Sequence, residues 1–323
     1  MKPLIESASG IRGIIGHNLD PRIATKVGMA FGSFLGKGTV IVGGDTRTSH
    51  DMIKHALVSG LMAVGVDVID IGFVPTPTVQ QMIRHHGAKG GVVVTASHNP
   101  IIWNGLKLMN DSGSFLDDSQ YDQFVGYYRQ DVFKLASWDG LGSCQLDTQA
   151  LKVHIDHLLT QVDTRLIQGA SLTVIVDPNN GAGALAVPLL LDRLGVRYDL
   201  LNGAPDGHFA HDPEPLQKNV QGIMTAMQQG GYDIGFVQDA DADRLVILDE
   251  NGVFIGEDYS LAFCMDYVLS ACQEEEKQAV VNLSTSKVIE FICRKHKTTL
   301  HYTKIGETHV TQGIKQYQAV AGG

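Results

Sequence analysis

Two short polar stretches of the sequence contain side chains that could do chemistry. The first, TASHNP at residues 95–100, follows an apolar run and places Ser97 just after a predicted buried strand, where its hydroxyl can face a ligand. The adjacent His98 suggests a serine hydrolase, but neighbouring residues rarely place an imidazole against the preceding hydroxyl, and there is no G-x-S-x-G motif here. Ser97 is therefore a candidate ligand-facing hydroxyl, and an ordinary turn serine is the alternative.

The second stretch, DADADR at residues 239–244, places three carboxylates at alternate positions between predicted strands at 233–237 and 245–248. A hard divalent cation with oxygen ligands explains such a set. An EF-hand loop from Asp239 to Glu250 fits at its acidic positions, but Arg244 stands where glycine is needed and both flanks are β-rich. A solvated acidic turn is the other alternative.

Together the two stretches predict phosphoryl transfer. Mg²⁺ is commonly held by carboxylates plus a phosphate, so a phosphorylated Ser97 would add one more oxygen ligand. Arg244, next to the carboxylates, could bind the same phosphate through its fork of donors. Lys107 and Arg12 are candidates for carrying the proton or clamping the phosphate.

The elements that position these stretches recur three times along the chain. Apolar runs near residues 40, 174 and 280 each lead through a small-polar loop into a helical stretch, a second strand, a second helix and a third strand. The predicted helices span 50–64, 183–194 and 286–296; the second strands span 66–71, 196–201 and 299–303; the third strands span 91–95, 232–237 and 318–323. This alternation predicts tandem β-α-β domains with mixed, largely parallel sheets. The alternative is that the three segments are no more alike than the segments of any α/β protein at this coarse level.

Domain boundaries are predicted near residues 150 and 255, giving segments 1–150, 151–255 and 256–323, with Asp147 capping a helix over 147–161. The 323 residues are 44% hydrophobic and include 36 glycines, which is typical of a globular protein with many tight loops. The net charge of −10 argues against general nucleic-acid binding. The sequence shows no membrane-spanning run and no secretory signal, and its four cysteines form no metal-binding pattern, so we expect a cytoplasmic protein without membrane partners.

The motifs resemble those of the α-D-phosphohexomutases, a family that includes phosphoglucomutase, phosphomannomutase and phosphoglucosamine mutase. Three pieces match in order and spacing: SGIRG at 9–13, the TASHNP loop with its NGxK continuation at 95–107, and DxDxDR at 239–244. A weaker fourth piece, Gly306-Glu307-Thr308, is placed like the family's third-domain sugar-contact loop. The resemblance covers essentially the whole chain.

The resemblance implies a fold, a reaction and roles for individual residues. Ser97 would be a phosphoserine that exchanges its phosphoryl group with a hexose phosphate through a hexose 1,6-bisphosphate, which also serves as activator. One Mg²⁺ would be held by Asp239, Asp241 and Asp243 together with Ser97. The other implied residues are catalytic Arg12, His98 and Lys107, and substrate-binding Asn99, Arg244, Gly306, Glu307 and Thr308.

Two departures from the family pattern matter. Ala240 and Ala242 replace the usual glycines of the metal loop, which should be harmless unless those positions need a positive φ. The chain reaches Gly323 where a G-E-x-S-G-H-like sugar loop would begin, so we expect that loop and the fourth domain to be absent and turnover to be impaired. The alternative is a non-catalytic phosphosugar-binding or assembly module, and the identity of the hexose stays open.

Overall fold

The computed structural model describes residues 4–323, which form two compact units. The first unit ends at Val253 and the second is Phe254–Gly323. Within residues 4–323 no helix is both long and apolar enough to cross a membrane.

A seven-stranded sheet forms the larger part of the first unit. Its strands are β1 (Ile5–Ser7), β2 (Gly10–Ile14), β3 (Thr39–Gly44), β4 (Asp67–Phe73), β5 (Gly90–Val94), β6 (Trp103–Asn110) and β7 (Cys144–Leu146). Their order across the sheet is β1-β2-β6-β5-β3-β4-β7, with β3, β4, β5 and β7 parallel to one another and β6 antiparallel to both β5 and β2. This pairing sets Lys107 opposite Val93 and Arg12 opposite Gly105, which brings both cations near the end of β5.

Helices cover both faces of this sheet. They are α1 (Pro21–Leu35), α2 (His50–Ala63), α3 (Thr76–His86), α4 (Asp118–Gln130) and α5 (Ala150–Leu159). Strand residues alternate between the two layers: Val40 and Val42 pack with residues of α1, α2 and α4, whereas Ile41 packs with residues of α3 and α5. The near-continuous apolar sequence of β3 and β5 is what a strand buried on both faces requires.

The second sheet of the first unit has four strands. In chain order its elements are α6 (Thr164–Ala170), β8 (Thr173–Asp177), α7 (Gly183–Leu194), β9 (Arg197–Leu200), α8 (Gln221–Gly230), β10 (Ile234–Gln238) and β11 (Leu245–Leu248). The order across the sheet is β11-β10-β8-β9, and only the edge strand β11 is antiparallel. The acidic stretch 239–244 is the connection between β10 and β11.

The second unit is a smaller α/β layer. Its elements are α9 (Glu257–Ala271), β12 (Gln278–Asn282), α10 (Val288–Lys295), β13 (Thr299–Thr303), α11 (Glu307–Tyr317) and β14 (Ala321–Gly322). Both outer strands run parallel to the central β12.

The predicted threefold recurrence is confirmed in the topology. In each sheet the first strand of the unit is central, and the second and third strands flank it, as in β4-β3-β5, β9-β8-β10 and β13-β12-β14. The α/β fold class is therefore confirmed. The loops after the third strands β5 and β10 both lie at carboxyl ends of parallel strands, where such sheets build their sites.

One local prediction was wrong. The helix expected over 147–161 begins at Ala150, and its N-cap residue Gln149 makes no side-chain capping bond. Asp147 instead accepts a hydrogen bond from the Gln149 amide at 2.7 Å and lies 3.2 Å from His86 Nε2. It forms an Asx turn before the helix, because its side chain reaches only two residues ahead. The domain boundaries near 150 and 255 stay predictions.

His50 is an unusual residue of the first unit. It begins α2, is 1% exposed, and packs its ring 4.8 Å from the ring of Phe73. Neither ring nitrogen makes a well-formed hydrogen bond within the described chain, although the Val94 backbone is close enough to favour the charged ring. Burial, together with the nearby charge of Lys54, lowers the pKa of His50 to about 4, against the opposing effect of Asp51 and Asp70.

This lowered pKa predicts a stability loss in mild acid. Because the unfolded chain takes up a proton on His50 near pH 6.5 and the folded protein does not until near pH 4, the free energy of unfolding should fall by about 2 kcal/mol between about pH 7.5 and about pH 5. Urea unfolding at the two pH values should show this fall in the parent protein and a smaller one in His50→Phe. His55→Gln, an exposed histidine on the same helix, is the control and should keep the parent's pH dependence. Equal pH dependence in His50→Phe and the parent would contradict the prediction.

Candidate active site

Ser97 lies immediately beyond β5 and is almost completely buried, with 2% of its surface exposed. Its Oγ donates a hydrogen bond to Asp239 Oδ2 at 2.9 Å, so the loops from the two sheets of the first unit meet at this hydroxyl. Its amide donates to Thr95 Oγ1 at 2.8 Å. The backbone φ of Ser97 is +51°, a left-handed conformation that costs a non-glycine residue about 1 kcal/mol or more.

His98 lies closer to the serine than its adjacency in sequence predicts. Its Nδ1 is 3.4 Å from Ser97 Oγ, because the left-handed backbone at Ser97 turns the two side chains toward each other. Adjacent residues rarely bring these groups together, and here they do, although the hydroxyl's shorter contact is with Asp239. Burial, and then the charge of Arg244, lower the pKa of His98, which favours the neutral imidazole.

The three carboxylates of the 239–244 loop form one cluster. Each of Asp239, Asp241 and Asp243 offers an oxygen within 4.8 Å of the others. Asp239 and Asp241 are fully buried, and the Asp243 side chain is 25% exposed. Asp241 Oδ1 is buried and has no hydrogen-bond partner within residues 4–323. A buried carboxylate oxygen of this kind needs a cation or a donor, so the cluster has the composition and geometry of a divalent-metal site.

Lys107 neutralises part of this charge. Its Nζ donates to Asp241 Oδ2 and to Asp243 Oδ2, each at 2.6 Å, from a side chain that is only 3% exposed. Burial opposes the charged amine, but the two carboxylates raise the pKa of Lys107 overall.

The contact with Lys107 helps to give Asp241 and Asp239 opposite pKa shifts. Burial opposes ionisation of Asp241, but Lys107 and its hydrogen bond lower that pKa to about 2. Burial and the charges of Asp241 and Asp243 raise the pKa of Asp239 well above its ordinary value. Without a cation, Asp239 is therefore protonated more readily than Asp241.

The remaining predicted residues of the first unit surround Ser97. Arg12 Nη1 donates to Asn99 Oδ1 at 3.4 Å, and burial lowers the pKa of Arg12. The backbone amide of Arg244 donates to Asp239 Oδ1 at 3.2 Å, while the residue as a whole is exposed. The structure thus gathers Arg12, Asn99 and Arg244 around the serine and the carboxylates, and their roles stay predictions.

The predicted sugar-contact residues lie in the second unit. Gly306 precedes α11 with φ +130°, and Glu307 and Thr308 are the first two residues of that helix. The left-handed φ explains why a glycine is suited to position 306. Their contact with a sugar stays a prediction.

Three contributors escaped the sequence reasoning. Thr76, the first residue of α3, donates from Oγ1 to Asp241 Oδ2 at 2.5 Å and from its amide to Asp241 O at 2.9 Å. Thr95 supports the Ser97 amide, and Arg47 binds the carbonyls of the serine loop. The DTR sequence after β3 could have indicated Arg47, because it follows a strand end just as the serine does; nothing local marks Thr76.

Comparison with known proteins gives a consistent result. Models of the phosphoglucomutase/phosphomannomutase alpha/beta/alpha domains I, II and III match residues 4–133, 152–252 and 256–323. A protein of Thermococcus kodakarensis named phosphoglucomutase/phosphomannomutase is 38% identical over 320 residues, which are 97% of this chain and 70% of that protein. A Methanopyrus kandleri protein named "Probable phosphoglucosamine mutase" is 37% identical over 98% of this chain and 69% of its own length.

Solved structures show the same architecture. The crystal structure of a phosphoglucomutase/phosphomannomutase family protein from Burkholderia thailandensis superposes with a TM-score of 0.83 at 27% identity. The match covers 98% of this chain and 70% of the Burkholderia chain.

The two alanines of the 239–244 loop differ in backbone conformation. Ala242 has φ +52°, whereas Ala240 is not among the left-handed residues and is fully buried. A positive φ therefore occurs at one of the two positions, and the loop carries backbone strain at Ala242.

Replacing alanine with glycine should change the free energy of unfolding in opposite directions at these two positions if Ala242 is strained. Ala242→Gly should raise the free energy of unfolding by about 1 kcal/mol, because glycine adopts the left-handed conformation without cost. Ala240→Gly is the matched control and should lower it by about 1 kcal/mol, because a buried methyl group and chain stiffness are lost. Urea unfolding of the two variants measures both changes, and destabilisation by Ala242→Gly would contradict the assignment of strain.

Proposed function

The chain belongs to the phosphoglucomutase/phosphomannomutase family, whose named members are isomerases that act on hexose phosphates, and on that premise we propose a specific reaction. Ser97, as a phosphoserine, exchanges a phosphoryl group with a hexose phosphate, which moves between the 1- and 6-phosphate forms through a hexose 1,6-bisphosphate. The observation that carries the proposal is the 2.9 Å hydrogen bond from Ser97 Oγ to Asp239 Oδ2. This hydrogen bond fixes the Ser97 hydroxyl, which would accept the phosphoryl group, at the edge of a carboxylate cluster suited to a cation.

The cluster fits Mg²⁺ as the cofactor. Asp239, Asp241 and Asp243 would hold the ion, and the support for this is the close set of oxygens together with the unpartnered Asp241 Oδ1. Hard oxygen ligands that include several carboxylates are what Mg²⁺ accepts. A bound ion supplies positive charge beside the phosphoryl oxygens of Ser97, which lowers the cost of the charge that develops during transfer.

The chain's own residues supply the rest of the reaction. When Ser97 gives up its phosphoryl group, the sugar oxygen forms a bond to phosphorus, the bond from phosphorus to Oγ breaks, and one proton passes from the sugar hydroxyl to Oγ. His98 Nδ1, 3.4 Å from Oγ, is placed to exchange a proton at that oxygen. Lys107 keeps its proton between two carboxylates and acts as a fixed positive charge, and Arg12 and Arg244 are placed to hold phosphate oxygens.

The substrate is proposed as a class. The relatives' names specify glucose, mannose and glucosamine phosphates between them, and Gly306, Glu307 and Thr308 are the proposed contacts to the sugar hydroxyls. Coupled mutase assays on the three hexose phosphates would choose among the sugars.

The first test of the proposal is covalent labelling of Ser97. After incubation with a hexose 1,6-bisphosphate and Mg²⁺, intact mass should show about 80 Da added per chain, the mass of one phosphoryl group. Ser97→Ala should remove the added mass and keep the fold, because the substitution deletes one oxygen. Ser49→Ala, at the serine that precedes α2 and accepts a hydrogen bond from Asn104, is the control and should still label. Persistent labelling of Ser97→Ala, or no labelling of the parent as expected of a purely binding module, would count against the mechanism.

The second test concerns the metal. Mg²⁺ should raise the melting temperature of the parent by mass action, because three clustered carboxylates repel one another without it. Asp241→Asn should abolish most of that rise, since the amide removes one ligand charge. Asp177→Asn is the matched control: this carboxylate is equally buried at the end of β8 but binds the Asn179 amide and Asn202. An Mg²⁺ response that survives in Asp241→Asn would place the ion elsewhere.

A further inference from the structure

Arg47 is completely buried, and every one of its N–H donors has an acceptor. Nε donates to Asp45 Oδ2 at 3.1 Å. The other four bonds go to main-chain carbonyls at the serine loop and its return into β6: Nη2 to Ser97 O and Asn99 O, each at 2.7 Å, and Nη1 to Pro100 O at 2.9 Å and Trp103 O at 3.0 Å. The planar guanidinium therefore holds residues 97–103 in one conformation through four hydrogen bonds to their carbonyls.

Asp45 connects Arg47 to the Ser97 amide through Thr95. Its Oδ2 also accepts the Thr95 hydroxyl at 2.5 Å, and Thr95 Oγ1 in turn accepts the Ser97 amide at 2.8 Å. Both main-chain groups of Ser97 are thus fixed, the N–H through Thr95 and the C=O directly by Arg47. Burial raises the pKa of Asp45, against the opposing charge of Arg47.

This arrangement answers a specific physical need. Ser97 is held in a left-handed conformation that a free serine loop would leave, and such a residue persists only where its surroundings over-determine it. A buried ion pair adds little net stability compared with apolar residues of the same size, so its value here lies in geometry.

The same short turn is also attached to the second sheet. Thr46 Oγ1 donates to Asn180 O at 2.7 Å, and the Phe209 ring lies 5.0 Å from Arg47 Cζ. Asn180 follows β8 in the sheet that carries the three carboxylates. Residues 45–47 therefore contact the serine loop directly, and they contact the sheet that carries Asp239 through Asn180.

We propose that Arg47, oriented by Asp45, is a positioning residue for phosphoryl transfer: it sets the Ser97 hydroxyl against the carboxylate cluster without touching the substrate. This inference rests on the proposed function of Ser97. The buried turn Asp45-Thr46-Arg47 then affects the rate of phosphoryl transfer and not the affinity for the sugar phosphate.

Arg47→Lys is the principal test variant. Lysine keeps the positive charge beside Asp45, but its single nitrogen has three donors and cannot reach four carbonyls. The rate of Ser97 phosphorylation by a hexose 1,6-bisphosphate, followed by quench and intact mass, should fall by about 100-fold, the cost of a misplacement near 1 Å. The half-saturating sugar concentration should stay within about threefold, because no substrate contact is removed.

Two further comparisons separate positioning from general destabilisation. Lys54→Met removes another buried cation of the first unit, which lies in α2 and pairs with Asp70 at 2.9 Å, and should leave the transfer rate unchanged. Thr95→Val deletes the acceptor of the Ser97 amide with little change in shape and should slow transfer, whereas the conservative Thr95→Ser should restore it. These variants keep the test decisive if Arg47→Lys folds poorly.

The outcomes distinguish this inference from the proposed function. Hydrogen exchange of amides 95–100, measured without sugar, should be faster in Arg47→Lys than in Lys54→Met, whether or not Ser97 accepts a phosphoryl group. Unchanged exchange, unchanged transfer in both Arg47→Lys and Thr95→Val, or an equal loss in Lys54→Met would overturn the role of Arg47. A parent protein that takes up no phosphoryl group would instead overturn the proposed function.

Discussion

Three clustered carboxylates between the two sheets of the first unit, two of them fully buried, are the constraint on which the site depends. Their oxygens lie within 4.8 Å of one another, and like charges at that separation are tolerated only with positive charge among them. Lys107 supplies part of that charge from the other sheet, at 2.6 Å from two of the carboxylates. The register of β6 against β5 therefore matters to the chemistry, because a shift of one residue would turn Lys107 to the opposite face.

Both loops that meet at the site store backbone strain. Ser97 follows β5 and Ala242 follows β10, and each has a left-handed φ without being glycine. Hydrogen bonds hold the serine loop in this state, through Thr95 and Arg47, and the amide and hydroxyl of Thr76 hold Asp241 beside Ala242. The strain is thus offset by buried polar contacts of the first unit, as is usual where a site fixes a side chain in one direction.

The sequence was sufficient for features that depend on periodicity and chain order. Alternating strands and helices predicted the three β-α-β-α-β units, and the strand ends predicted that Ser97 and the 239–244 carboxylates would meet. Features that depend on side-chain reach or on single dihedral angles could not be predicted. Thr76 binds Asp241 across 165 positions of sequence, Arg47 acts through distant carbonyls, and nothing in the letters DADADR shows that Ala242 and not Ala240 is left-handed.

The carboxylate cluster is proposed to hold a divalent cation against Ser97. Anomalous diffraction from crystals soaked in Mn²⁺, an ion that accepts the same oxygen ligands as Mg²⁺, tests it most directly. We expect one strong peak about 2.1 Å from an oxygen of each of Asp239, Asp241 and Asp243, on the side that faces Ser97 Oγ. A cluster that stays empty at saturating Mn²⁺, with Lys107 still bridging Asp241 and Asp243, would contradict it.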